Sequence, residues 1–395
     1  MAARIGVAWQ RAAILAGCGA LALLAIGSGL DRSTTQSPAR AARVPGIFAV
    51  RALAARTQQS LQTGNYVAAN LLAERFVRKD PVTPESTALL GAARFAAGDL
   101  DGADRAFRVA GNLGWRTGST QYYWLWEALK TQDFGVAAQR LDALFRQDLA
   151  LAADAAMLAP FEQDVRGRDA LVGRLAHGPA WLSDYFGNVY NLDTAIALRR
   201  AAVLRDLAAR GMRLGCAGVG PLTRKLVAAG RILDAHGLWR MHCPAASQGL
   251  VADASFNGLA SGKLDGPFAW TVLGSGDVSI DVGPATPGSG SHLVLASSAG
   301  FGRRVLMQLV VAQPGRYALT WRARDEQGRG SSRIAASFGC RADSREWVQA
   351  DLDSAGRSTA IVDARSDCGG SWLGFTLQPG NGRITLDRIA LQRVN

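Results

Sequence analysis

Four histidines, His177, His236, His242 and His292, are the side chains best suited to proton transfer or metal binding at neutral pH, and they are scattered over different segments. His236 and His242 stand six apart beside Cys243, but no carboxylate accompanies them at ligand spacing, so a structural role is the stronger reading. The pairs Asp351/Asp353 and Asp363/Asp367 are of the type that glycoside hydrolysis uses. They fall on expected edge strands or loops, where solvated surface acid is the default. No nucleophile elbow, HExxH helix, phosphate loop or dinucleotide fingerprint occurs. The chain is therefore expected not to be an enzyme, and to hold no metal and no cofactor.

The cysteines carry a different chemistry. Cys18 lies in an apolar N-terminal run, and the other four fall as two local pairs, Cys216 with Cys243 and Cys340 with Cys368. Four cysteines allow three connectivities. Local pairing is favoured because each pair lies inside one expected domain, with buried free thiols as the alternative. Such bridges belong to an oxidising compartment and each stabilises by roughly 2–4 kcal/mol.

Residues 12–30, AAILAGCGALALLAIGSGL, carry no charge. At about 1.5 Å per residue they make roughly 28 Å of helix, close to the hydrocarbon thickness of a bilayer. Arg4 and Arg11 precede the run, so positive-inside bias puts residues 1–11 in the cytoplasm and the rest outside, in the periplasm of a bacterial envelope. Two readings compete with this uncleaved single-pass inner-membrane helix. Ala39-Arg40-Ala41 has the form of a signal cleavage site, which would make a secreted protein, but it lies far beyond the apolar run. Leu15-Ala16-Gly17-Cys18 resembles a lipoprotein box, but the hydrophobic run continues past it.

The 395 residues have a formal net charge of +12 and suffice for two or three domains. Residues 1–250 hold 29 Lys/Arg against 19 Asp/Glu, a net of +10, and residues 251–395 hold 15 against 13, a net of +2. The basic residues are 40 Arg and four Lys, dispersed without a basic run or interleaved aromatics, which argues against nucleic acid as a partner. Attraction to anionic lipid or acidic polysaccharide stays open.

After a linker-like stretch at 31–46, a register of 34 appears. Gly64-Asn65-Tyr66, Gly98-Asp99-Leu100 and Gln132-Asp133-Phe134 recur at that interval, followed by Ala69, Ala103 and Ala137. Apolar residues come next at helical spacing: Ala73 and Phe76, Phe107 and Ala110, Leu141 and Leu144. This pattern resembles the tetratricopeptide repeat, a helix–turn–helix unit, with units at about 50–83, 84–117 and 118–151. The middle unit fits best, through Leu90, Gly91, Ala103, Phe107 and Ala110, whereas the first has Arg56 and Thr57 where apolar residues are usual. The resemblance implies an α-solenoid that binds a protein partner. On the first helix of unit three, Tyr122, Trp126 and Leu129 share one face and are expected in the core, leaving Tyr123 or Trp124 as the anchor of a partner groove. Residues 152–250 stay helical but lose the register, with helices at about 194–210 and 222–236 and a degenerate hairpin around Gly230.

From 251 to 395 the pattern alternates. Strands are expected at 278–282, 292–295, 304–311, 317–323, 334–338 and 384–391, bounded by Gly, Pro or Ser, which points to an antiparallel β-sandwich of jelly-roll kind. Phe256-Asn257-Gly258, Pro267-Phe268-Ala269-Trp270, the stretch 308–319 and the ending Ile384-Thr385-Leu386-Asp387-Arg388-Ile389 resemble carbohydrate-binding modules of the galactose-binding-like type. That resemblance implies stacking of aromatic rings on sugar faces, with Trp347 and Trp372 as candidates, while Trp270, Tyr317 and Trp321 alternate into the core. Taken together the chain is expected to be multidomain, α plus β: a transmembrane helix at 12–30, a helical domain at 47–250 and a sandwich at 251–395. Its expected role is a non-enzymatic envelope scaffold, whose repeats hold a protein and whose sandwich touches polysaccharide or protein. Assembly or export of surface polysaccharide is the process that the resemblance implies. The alternatives are a membrane-anchored glycan-binding protein with the repeats as spacer, or a purely structural scaffold.

Overall fold

The computed structural model describes residues 2–244, 249–286, 290–344 and 346–394. The chain divides into two compact units, Met1–Asp148 and Leu149–Asn395.

The first unit opens with a 32-residue helix, α1 (Ala2–Ser33), whose stretch Ala13–Ser33 has a mean hydropathy of 2.1. The segment 31–46 contains the end of α1, a turn and a short 3-10 helix (Pro38–Arg43) packed against the next helix through Ala41. Three helical hairpins follow: α2 (Arg51–Gln62) with α3 (Tyr66–Lys79), α4 (Pro84–Ala96) with α5 (Leu100–Leu113), and α6 (Gly118–Lys130) with α7 (Phe134–Gln147).

The 34-residue register has a definite physical origin. Asn65, Asp99 and Asp133 are the N-caps of α3, α5 and α7, each side chain accepting from the backbone N–H three residues on. The residue before each cap has positive φ, met by Gly64 and Gly98 and, in unit three, by Gln132. The alanine four residues after each cap, Ala69, Ala103 and Ala137, is fully buried where the paired helices approach. Gly91 works the same way in the middle unit, since a Cβ there would lie 3.0 Å from the Phe107 ring. In unit one Thr57 is buried without loss of a hydrogen bond because its hydroxyl donates to the Leu53 carbonyl at 2.8 Å.

One expected face is corrected. The buried stripe of α6 is Thr120, Gln121, Leu125 and Ala128, not Tyr122, Trp126 and Leu129, and Tyr122 is 47% exposed. The small and medium residues face inward because neighbouring helices approach closely there, and the larger rings are displaced to the flank.

The second unit opens with a short 3-10 helix (Leu149–Ala153) and six α-helices follow: α8 (Ala155–Gln163), α9 (Val165–Leu175), α10 (Leu182–Gly187), α11 (Thr194–Ala209), α12 (Gly215–Ala228) and α13 (Ile232–His242). The expected helix at 222–236 is interrupted, because Gly230 adopts φ of 74° and makes α12 and α13 a hairpin. The aromatic stretch around 181–190 is core, with Trp181, Tyr185 and Phe186 buried, while Tyr190 is exposed.

A short helix, α14 (Asn257–Ser261), leads into two antiparallel sheets. The strands are β1 (Thr271–Val272), β2 (Val278–Thr286), β3 (Gly290–Ser297), β4 (Arg303–Val310), β5 (Gly315–Arg324), β6 (Ile334–Gly339), β7 (Asp351–Leu352), β8 (Arg357–Ala364), β9 (Ser371–Leu377) and β10 (Ile384–Arg393). The four-stranded sheet runs β1-β4-β9-β6 and the six-stranded sheet β2-β3-β10-β5-β8-β7. Strand alternation fills the space between them. Trp321 of β5 meets Phe375 of β9 edge-on at 5.8 Å, and Phe375 meets Trp270 at 6.0 Å. Trp270, Tyr317 and Trp321 are thus core residues, as their alternation implied. Strands β1, β7, β8 and β9 are additional to those the alternation marks.

Candidate functional site

Two clefts combine an indole with arginine: that of Trp124 in the first unit and that of Trp372 in the second. In the first unit, Arg108, Gly111 and Asn112 of α5, Trp124 of α6 and Arg140 of α7 line a cleft of about 270 Å³. Trp124 lies close against α5 because residue 111 is glycine: a Cβ there would be 2.9 Å from Nε1 of the indole. The indole N–H donates to the Phe107 carbonyl at 3.2 Å, so the ring is oriented as well as packed. The Arg108 guanidinium is 5.4 Å from its centroid.

Arg108 is held by Asp104, its Nε donating to Oδ2 at 2.7 Å. The same carboxylate accepts the Tyr123 hydroxyl on Oδ1 at 2.9 Å. The hydrogen bond from Arg108, aided by that from Tyr123, holds the Asp104 carboxyl below the usual range, while burial and then Asp104 push the Tyr123 hydroxyl up. Tyr123 also stacks on Phe107 with centroids 4.4 Å apart and planes at 17°, so it serves packing, and Trp124 is the one of the two that lines the cleft.

Arg140 closes the other side. Its guanidinium lies over the Trp115 ring at 3.7 Å, and Nη1 donates to Oε1 of the fully buried Gln121 at 3.1 Å. These partners are neutral, and burial lowers the Arg140 pKa. The cleft is lined by two cations, an indole and an amide, with no acid among the lining residues. Its chemistry suits a carboxylate borne on an apolar or extended segment.

In the second unit a larger cleft of about 680 Å³ lies between α12 and the face of the four-stranded sheet. Its walls include Val227 and Ala228 of α12, the loop residues 264–267 and Ala269, Met307 of β4 and Trp372 of β9. Arg224 and Asp265 form a bidentate pair at its rim, Nη1 to Oδ1 at 2.5 Å and Nη2 to Oδ2 at 3.2 Å. Trp372 is partly exposed in this cleft, whereas Trp347, 53% exposed, is not among the residues lining it.

Cys216 and Cys243 stand 5.2 Å apart at Cα, stapling α12 to the end of α13, and Cys340 and Cys368, also 5.2 Å apart, join the ends of the paired strands β6 and β9. Both nitrogens of His242 are engaged: Nδ1 accepts from the Leu214 N–H and Nε2 donates to the Leu204 carbonyl. His236 packs on the Phe268 ring at 5.1 Å. Among the described residues, the group of three ligand-type side chains in mutual reach is Cys340, Asp367 and Cys368, which includes one of the cysteine pairs. Asp351, Asp353, Asp363 and Asp367 are all exposed.

Arg108, Arg140 and Trp115 carry no sign in the sequence beyond the Asp104–Arg108 spacing of four, since they converge only when three helices pack.

No protein-family model matches the chain, and neither does any curated protein. Among solved structures it is similar to the enzymatically active domain of tailspike protein 4 of bacteriophage CBA120, with 13% identity over 37% of this chain and 21% of that chain, at a TM-score of 0.27. It is also similar to pilF of Pseudomonas aeruginosa, with 17% identity over 47% of this chain and 87% of that one, at a TM-score of 0.28. The chain thus spans about a fifth of the tailspike chain. At these scores neither likeness bears on fold or function.

Proposed function

We propose that this protein is a non-enzymatic interaction protein of the bacterial envelope, anchored by α1 with its bulk in the periplasm, whose tetratricopeptide-like hairpins hold a protein partner. The observation that carries this reading is the cleft of Trp124, Arg108 and Arg140. A rigid indole flanked by two guanidinium groups is the composition of an interface anchor that takes an acidic, partly apolar segment. A photo-crosslinking residue at Asn112 of the full chain, activated in its own membranes, should join one protein partner. Charge reversal, Arg108→Glu with Arg140→Glu, should abolish that product; equal crosslinking with and without the two arginines sinks the reading.

A second reading concerns the sandwich, as a galactose-binding-like jelly roll touching polysaccharide, in surface polysaccharide assembly or export. The feature that favours it is Trp372, an indole in an open cleft beside the Arg224–Asp265 pair, since sugar sites combine a flat ring with fixed polar groups. Retention of the full chain on an affinity gel of envelope polysaccharide should fall at least about tenfold in Trp372→Ala if that ring stacks on sugar. Trp347→Ala, outside the cleft, should leave retention unchanged. Retention that does not respond to Trp372→Ala removes the glycan reading and leaves the sandwich a protein-contacting or structural module.

A further inference from the structure

Of residues 13–30, only Gly27 is buried. What covers it is the ring of Phe48, which sits where a Cβ of residue 27 would otherwise be. One turn further along α1, the Asp31 carboxylate, 7% exposed, accepts from the backbone N–H groups of Val50 at 3.2 Å, Arg51 at 3.0 Å and Ala52 at 2.9 Å. These are the orphan donors at the N-terminus of α2, so a residue of the apolar helix caps the first helix of the hairpins. The Thr34 hydroxyl, buried, donates to the Asp31 carbonyl and closes the turn. Lys79 of α3 adds a third tie, its Nζ donating to the Ile47 carbonyl at 3.1 Å.

These contacts fix the loop Pro45–Phe48 alongside the last turns of α1. Gly27 precedes Asp31 by four residues, about 6 Å along the helix axis. It lies inside the uncharged run 12–30, so the loop that covers it lies at the same depth. At that depth Ile47 turns its side chain outward, 79% exposed. Arg32, Arg40 and Arg43, all exposed, precede the loop within 13 residues of sequence, and the acid in the stretch 31–56 is Asp31, already engaged in capping.

We propose that the loop Pro45–Phe48 is a second membrane contact, with Ile47 entering the interface of the leaflet at the C-terminal end of α1 and Arg32, Arg40 and Arg43 on its lipid phosphates. An exposed apolar tip in an arginine-bearing segment is the composition that partitions at the boundary of headgroups and acyl chains. The inference rests on the reading of α1 as an uncleaved span. Its consequence is that the first hairpin is held at a fixed height above the bilayer.

The test uses the full chain in phosphatidylglycerol-containing vesicles, in a Cys18→Ser background, with an environment-sensitive fluorophore on a single added cysteine. Ile47→Cys is compared with Leu24→Cys inside the run and with Val67→Cys, 75% exposed at the far end of the α2–α3 hairpin. Lipids spin-labelled on the acyl chain should quench Leu24→Cys and Ile47→Cys, with a blue shift at both, and leave Val67→Cys bright. Quenching at Leu24→Cys with Ile47→Cys as bright as Val67→Cys overturns the loop contact and keeps the anchor. No quenching at Leu24→Cys overturns the anchor itself, and the loop contact with it.

Discussion

Replacing Glu162 by alanine is expected to destabilise the second unit by about 3–5 kcal/mol, the cost of leaving a buried charge without its partner. Glu162 and Arg200 are 1% and 0% exposed. Oε1 of Glu162 accepts from the Tyr185 hydroxyl at 2.9 Å and from Arg200 Nε at 3.2 Å, and Arg199 lies 3.7 Å from Oε2. Arg200 also donates to the Tyr185 carbonyl and lies over the Tyr185 ring at 4.5 Å. One carboxylate therefore ties α8, α10 and α11 together. The pair itself need not be stabilising, because desolvating two ions offsets their attraction. Glu162→Leu combined with Arg200→Met should accordingly recover most of the loss. Urea unfolding of the full chain in detergent, followed by tryptophan emission, measures both. A single-variant loss below about 1 kcal/mol, or a double variant no better than the single, contradicts the account.

The second large effect is acid sensitivity of the same unit. Burial lowers the His236 pKa to about 4, with Arg240 one turn on adding to it, and burial also lowers His242. Each imidazole is thus held neutral in the folded chain. A histidine with a folded pKa below its unfolded value near 6.5 binds fewer protons when folded, so its stabilising effect is present above pH 6.5 and is lost as pH falls toward 4. At about 1.4 kcal/mol per unit, His236 alone accounts for about 2–3 kcal/mol over that window. Protonation of His242 would also displace the Leu214 N–H from Nδ1. Unfolding midpoints at pH 7 and pH 4.5 should differ strongly in the native chain, and the difference should shrink in His236→Phe, which keeps the contact with Phe268. An unchanged difference in that variant assigns the acid loss elsewhere.

These two networks show what a sequence conceals. The hairpins are legible because their determinants are local: a positive-φ residue, a cap and a small alanine recur every 34 residues, and each acts within one turn of chain. The sandwich is legible where apolar and polar residues alternate, as in β5, and less so in β9, whose near-continuous burial hides the period of two. The face of α6 misleads because ring size is a poor guide to burial when neighbouring backbones approach closely. Glu162 and Arg200 stand 38 residues apart with no shared motif, and Arg108 and Arg140 of the first cleft stand 32 apart, outside the register. Asp31 is the sharpest case: composition marks its segment as a linker, yet its carboxylate caps a helix about 20 residues on. Such ties come from packing, which no local pattern records.

The Trp124 cleft is proposed to hold a protein partner through its two cations. The direct measurement is the Kd of the crosslinked partner, once identified, for the full chain and for the Arg108→Glu, Arg140→Glu variant, by titration calorimetry at two salt concentrations. The account predicts binding weakened at least about 100-fold by the reversal, and a native Kd that rises with salt. An unchanged Kd in the variant, or a native affinity indifferent to salt, would contradict it.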